Sequence, residues 1–136
     1  MTLEQLQSIL LSLFLAFLVV CCAAVIYTYS CGEIEPASLR QLLLKLLAVY
    51  SVHLSVVIGG MFAVRAGGSS VNAAKFAWSA VALALAWNLL ITARVGLFAF
   101  QNLDSVDALV EYIDTIAASS AFLVLGVITF FFVKHP

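Results

Sequence analysis

The residues in this chain that could do chemistry are charged side chains that interrupt long apolar segments. Asp107, Glu111 and Asp114 are spaced by four and then three residues, which places three carboxylates on one face of a helix. Arg94 and Lys45 each lie about ten residues from a neighbouring turn, so antiparallel packing brings them to the depth of the carboxylates. A charge in hydrocarbon costs at least about 2.5–3.5 kcal/mol, which pairing or contact with water reduces.

Two roles fit this charged set. It forms either an interfacial salt-bridge network that holds helical hairpins in register, or a vestibule that selects and conducts ions. In both cases Arg94 is predicted to meet Glu111 or Asp114, and Lys45 is predicted to join them.

Two uncharged polar residues lie near the middle of apolar segments. The ring of His53 needs a hydrogen-bond partner there, and Ser51, Ser55, Asn88 and Thr92 are the candidates. His53 is either a packed, hydrogen-bonded residue or a proton-relay or gating residue. A haem ligand is not expected, because no second axial ligand is placed to pair with it. Asn88 is expected to bond between helices or to line a water-filled path.

Small residues recur at every fourth position of the second apolar segment, at Ser51, Ser55, Gly59 and Ala63. This pattern lets helix backbones approach closely in a membrane. The expected role is helix packing, either within one chain or between subunits.

The elements that must position these residues follow from composition. The chain has 136 residues, of which 65% are apolar and 10% are charged, whereas a soluble domain carries about 25% charged residues. We therefore expect one integral membrane domain spanning residues 1–136. Four continuous stretches are long enough to cross a bilayer as helices, without the alternation of a β-barrel. They are residues 6–29, 39–64, 74–100 and 105–133.

Local signals mark the starts of these helices. Thr2 and Gln5 predict a capping box at the first, and Glu35 followed by Pro36 opens the second. Asp104 is the predicted N-cap of the fourth. Because the connections are short, sequential helices are expected to be antiparallel neighbours in an up-down four-helix bundle.

Charge asymmetry predicts the orientation of the bundle. At one end, the loop between the second and third segments carries Arg65 and Lys75 and no acid, and the C-terminus carries Lys134. The other end has Arg40 as its only loop cation and carries four acids, namely Glu33, Glu35, Asp104 and Asp107. The positive-inside rule then places both termini in the cytoplasm of a plasma or inner membrane.

Several functional classes are not expected. A net charge of −1 with scattered Lys and Arg does not favour nucleic acid as a partner. Cys21, Cys22 and Cys31 lack the spacing of a zinc site. Phosphate-binding, nucleophile-elbow and metalloprotease motifs are absent from the sequence, so we expect neither an enzyme nor a cofactor.

The function that remains is a homo-oligomeric ion-conducting or pore-forming protein, with the bilayer and further copies of the chain as partners. Side chains fill the core of a single four-helix bundle, so a path is expected between subunits. The alternative is a non-catalytic structural or regulatory subunit that docks onto a larger membrane complex. An intramembrane enzyme or redox carrier would depend on His53 alone.

Overall fold

The computed structural model describes residues 2–65, 74–101 and 105–133, in which helices are the only regular secondary structure. The predicted all-helical fold is therefore confirmed. Both of the first two helices begin three residues before the predicted position. The four helices are α1 (Leu3–Ser30), α2 (Pro36–Arg65), α3 (Ala74–Gln101) and α4 (Val106–Val133).

Hydrogen bonds at the helix starts explain two of these boundaries. The capping box of α1 is confirmed: the Thr2 hydroxyl accepts from the Gln5 N–H at 3.2 Å, and the Gln5 side chain accepts from the Thr2 N–H at 2.9 Å. At α4 the capping side chain is Ser105, whose hydroxyl accepts from the Ala108 N–H at 3.2 Å. The predicted cap, Asp104, lies outside the described residues.

The turn between α1 and α2 is closed by backbone hydrogen bonds. The Cys31 N–H donates to the Tyr27 carbonyl at 3.0 Å, and the Gly32 N–H donates to the Tyr29 carbonyl at 2.9 Å. Gly32 has φ of +76°, the left-handed conformation that commonly ends a helix and that glycine adopts without a steric cost. This short turn makes α1 and α2 an antiparallel hairpin.

Each helix packs against two others. Both α1 and α4 contact α2 and α3, so α1 lies diagonally opposite α4 and α2 lies diagonally opposite α3. The expectation that all sequential helices are neighbours is thus wrong for the described parts of α2 and α3. Large side chains fill the space between them: the rings of Tyr50 and Trp87 meet across this diagonal with centroids 5.3 Å apart.

Ring contacts give the direction of the helices. Tyr27 lies 5.6 Å from Phe100, and Phe14 lies 5.9 Å from Trp87, so α1 and α3 run in the same direction. At the same end as Phe100, Arg94 of α3 lies over Tyr112 in the first two turns of α4. Hence α3 and α4 are antiparallel, and each hairpin runs up and then down.

Four ring-bearing side chains fill the centre of the bundle, and we call them the central aromatic cluster: Phe14, Tyr50, His53 and Trp87. All four are at most 2% exposed. The His53 ring is centred 4.2 Å from the Trp87 ring and 5.2 Å from the Phe14 ring. Packing at this density closes the middle of the single chain.

The outer surface of three helices is strongly apolar. Among the described residues, the segments that are long and apolar enough to cross a membrane are Glu4–Ser30, Pro36–Gly59 and Ala77–Gln101, with mean hydropathies of 3.1, 2.0 and 1.8. Their large exposed side chains include Val19, Leu44, Leu47, Leu89 and Leu90. Among the described residues, α4 adds none to this exposed apolar set.

We expect Trp87→Ala to lower the free energy of unfolding by about 3–5 kcal/mol, because it leaves a cavity in the central aromatic cluster. Unfolding in mixed detergent micelles, followed by circular dichroism, measures the change. The matched control is Trp78→Ala, since Trp78 is the second tryptophan and is 60% exposed. Equal losses at the two positions would contradict a core role for Trp87.

Candidate functional site

The outward face of α4 is polar along the whole stretch in which its side chains are described. Within residues 105–119 every exposed side chain is small or polar. The members are Ser105, Asp107, Glu111, Asp114, Thr115, Ala118 and Ser119. We call Asp107, Glu111, Asp114, Thr115 and Ser119 the polar face of α4. It lies diagonally opposite α1, whose segment has the highest mean hydropathy of the three membrane-length apolar segments found among the described residues.

One carboxylate of this face is paired with a lysine. The Lys45 ammonium lies 2.5 Å from a carboxylate oxygen of Asp114, and the side chains are 28% and 54% exposed respectively. This contact joins α2 to α4, which are neighbours although they are not consecutive in the chain. Lys45 thus reaches a carboxylate of α4, the contact that the sequence predicted for it.

Arg94 lies on the opposite flank of α4. Its guanidinium carbon is 5.0 Å from the centroid of the Tyr112 ring, a cation–π contact between α3 and α4. Glu111, the residue before Tyr112, is exposed. The two cations therefore bracket α4 from its two neighbouring helices, and both lie beside the polar face.

The hydroxyl groups of the polar face are oriented by the α4 backbone. Thr115 donates to the Glu111 carbonyl at 2.9 Å, and Ser119 donates to the Thr115 carbonyl at 2.6 Å. Because each hydroxyl hydrogen is used within the helix, each oxygen retains only acceptor capacity toward its surroundings. An acceptor surface of this kind attracts cations.

The ring of His53 is held by its own helix. Its Nδ1 lies 3.1 Å from the Val49 carbonyl, and Nε2 has no hydrogen-bond partner among the described residues. The serine and threonine hydroxyls predicted as partners bond elsewhere: Ser55 donates to the Val52 carbonyl, and Thr92 lies 3.4 Å from the Cys21 sulfur. The partner of His53 is therefore the backbone carbonyl one turn earlier in its own helix.

Asn88 is fully buried, and its amide NH₂ donates to the Ala84 carbonyl at 2.7 Å. Together with His53 it lies in the interior rather than on the polar face of α4. The six polar residues singled out by sequence therefore divide into two places: Lys45, Glu111, Asp114 and Arg94 lie on or beside α4, and His53 and Asn88 lie in the core.

The small residues of α2 face outward. Ser51, Ser55 and Gly59 are exposed, and a Cβ added at Gly59 would meet nothing within 4 Å. Packing of this stripe within one chain is therefore wrong for these three positions. The side chain of Ala63 lies outside those described. The stripe thus forms a strip of small residues on the outer surface of α2.

A crevice between α2 and α4 is the feature that sequence reasoning missed. Its volume is about 250 Å³, and it is lined by Lys45, Ala48, Val49, Val52, His53, Asp114 and Ala117. The predicted approach of Lys45 to the carboxylates of α4 was its only trace in the sequence. Comparison with protein families, characterised proteins and solved structures finds no match to this chain.

We expect Lys45→Met and Asp114→Asn to be coupled in a double-mutant cycle. Each single change leaves one charge without its partner in an apolar setting, so the double variant should be more stable than the two single effects predict, by about 1 kcal/mol. Unfolding in mixed micelles measures the coupling. Pairing Lys45→Met with Glu111→Gln gives the control cycle, for which additive effects are expected; equal coupling in both cycles would contradict a specific pair.

Proposed function

We propose that this chain is an integral membrane protein whose four helices cross the bilayer, and that several copies assemble around a cation-conducting path. The polar face of α4 is the observation that supports this function. Hydrocarbon solvates carboxylates and hydroxyls poorly, so this face must meet water or protein. A water-filled path at the centre of an assembly supplies that environment.

The depth of the polar face strengthens this argument. α4 has 28 residues, which correspond to about 42 Å of helix against about 30 Å of hydrocarbon, so about 6 Å projects at each end. Asp107 and Glu111 then lie near the headgroups, whereas Asp114 lies about 6 Å inside the hydrocarbon and Ser119 about 14 Å inside. The face thus runs from the surface to near the midplane.

The order of the helices suits a ring of subunits. With α4 toward the axis, α1 lies on the far side of each subunit, against lipid, which agrees with its mean hydropathy of 3.1. α2 and α3 then form the two flanks. The exposed Ser51, Ser55 and Gly59 of α2 allow the neighbouring subunit to approach closely.

The chemistry of the lining favours cations. Asp107 and Glu111 bring negative charge to the mouth of the path. The hydroxyl oxygens of Thr115 and Ser119 can only accept hydrogen bonds or contact cations, because their hydrogens are donated to the α4 backbone. The central aromatic cluster closes the interior of each subunit. Conduction therefore runs between subunits.

The proposed orientation places both termini in the cytoplasm of a plasma or inner membrane, because the end of the bundle that holds Arg65 carries the excess of cations. The acidic mouth of the path then opens on the outer side, and Glu33 lies at the same outer end, on the α1–α2 turn.

A docking subunit is the second candidate, and the same polar face supports it. A transmembrane partner with lysine or arginine at the level of Glu111 and Asp114 would neutralise this face without any conducting path. Purification of the single gene product in mild detergent separates the two. A stable homo-oligomer favours conduction, whereas a monomer that associates only with a co-expressed partner favours docking.

We expect Glu111→Gln to reduce cation conductance in planar bilayers by at least about twofold at 0.01 M salt and to have little effect at 1 M salt, where charges are screened within about 3 Å. Single-channel recording measures this. Glu33→Gln is the matched control, since it removes the same charge from the same end, away from α4. Equal effects of the two changes, or no current from pure protein, would count against the proposed path.

We also expect copies of the chain to meet through α4. In a background without Cys21, Cys22 and Cys31, Ser119→Cys should form disulfide-linked dimers under mild oxidation. The reason is that residue 119 of each subunit faces the axis of the proposed assembly, where neighbouring subunits meet. Val19→Cys is the control, since Val19 is 66% exposed on α1, on the lipid side. Denaturing electrophoresis without reductant separates the products. Preferential cross-linking through Val19→Cys would contradict the proposed arrangement, because it would place α1 rather than α4 at the contact between subunits.

A further inference from the structure

The crevice between α2 and α4 has a shape and lining that fit a small molecule. Its volume of about 250 Å³ exceeds the roughly 150 Å³ that encloses a benzene ring in a protein core. Lys45 and His53 both line it, and eight residues of helix between them correspond to a length of about 12 Å. The crevice is therefore a slot, large enough for one substituted ring.

The walls of the slot are apolar and smooth. Ala48, Val49 and Val52 of α2 face Ala117 of α4. Two of these four side chains are single methyl groups, which is why the helices leave space here. An occupant must therefore have an apolar body.

The charged residues of the slot do not call for a charged ligand. Lys45 and Asp114 already pair with each other across it. A cationic or anionic occupant would have to compete with that ion pair in an apolar setting. The occupant expected from this lining is uncharged.

Among the described side chains that line the slot, His53 is the one with a buried hydrogen-bonding atom that lacks a partner. A carbonyl oxygen can only accept, so the contact with Val49 requires that Nδ1 carry the hydrogen. In the neutral ring Nε2 is then an acceptor, and it is buried without a partner among the described residues. The complementary group on an occupant is a hydrogen-bond donor.

We propose that this crevice binds an uncharged aromatic molecule that carries a hydroxyl group, a phenol, with the hydroxyl donating to Nε2 of His53. The apolar ring occupies the space between Ala48, Val52 and Ala117. The Lys45–Asp114 pair closes the other end. This site belongs to the single chain and does not depend on the assembly or on conduction.

The test uses a phenol that carries a photoreactive diazirine, with the full-length protein in detergent micelles. After irradiation, mass spectrometry locates the labelled residues. We expect label on the segments that hold Val52 and Ala117, and at least tenfold less of it when unlabelled phenol is in large excess. Label spread over exposed apolar positions such as Leu89, without protection by phenol, would overturn the proposal.

Protein variants test whether the labelling depends on the slot. Ala117→Phe fills the slot and should reduce labelling at Val52 at least tenfold, whereas Leu89→Phe, on the exposed side of α3, should leave it unchanged. If Ala117→Phe does not fold, as judged by circular dichroism, Val52→Phe replaces it, and the labelling is then measured on the segment that holds Ala117. Undiminished labelling of the filled slot contradicts the site.

The methyl ether of the same probe lacks the donor and is otherwise matched. We expect its labelling of the crevice at low concentration to be several-fold weaker than that of the phenol, and His53→Phe to remove this difference. Equal labelling by ether and phenol in the unchanged protein would overturn the assignment of His53 as the acceptor. Because no current is measured, the result is separate from that of the conduction experiments.

Discussion

The constraint on which this structure depends is that hydrocarbon cannot solvate a carboxylate. Three helices direct large apolar side chains outward, and the described part of α4 directs carboxylates and hydroxyls outward instead. A protein with both kinds of surface cannot present all of its sides to lipid. In the proposed membrane assembly, the contrast between α1 and α4, which lie on opposite corners, gives the bundle a lipid side and a protected side.

The central aromatic cluster explains how the bundle acquires these two sides. Because Tyr50 and Trp87 meet across the diagonal, α2 and α3 are held apart and α4 becomes a neighbour of both. α4 then reaches Lys45 on one flank and the helix of Arg94 on the other. A simple ring in chain order would have put α1 beside α4 and would have separated Lys45 from Asp114.

Much of the fold could be predicted from the sequence, because helix formation in long apolar segments is a local property. The capping box at Thr2 and the break before Pro36 are likewise local. The helix order was not predictable in this way, since it depends on side-chain volumes that meet only in three dimensions. The predicted partner of His53 was also wrong: four polar side chains lie at a suitable depth, whereas the ring contacts the Val49 carbonyl of its own helix.

The candidate site was predictable in composition but not in placement. The spacing of Asp107, Glu111 and Asp114 put them on one face, and the structure has all three exposed. Periodicity alone does not say whether such a face is turned inward or outward, because a hydrogen-bonded core and a polar exterior have the same period. The outward small residues of α2 illustrate the same ambiguity.

The ion pair between Lys45 and Asp114 also bears on how the protein is made. The chain is synthesised from its N-terminus onward, and α1 and α2 form a hairpin through the local turn at Gly32. Lys45 is therefore present in the first hairpin before its counter-ion has been synthesised. In the proposed membrane protein, α4 brings the anion that lets this cation remain in hydrocarbon, so insertion of the bundle would pass through a stage in which Lys45 has no counter-ion from α4. Completion of α4 ends that stage and joins the two hairpins.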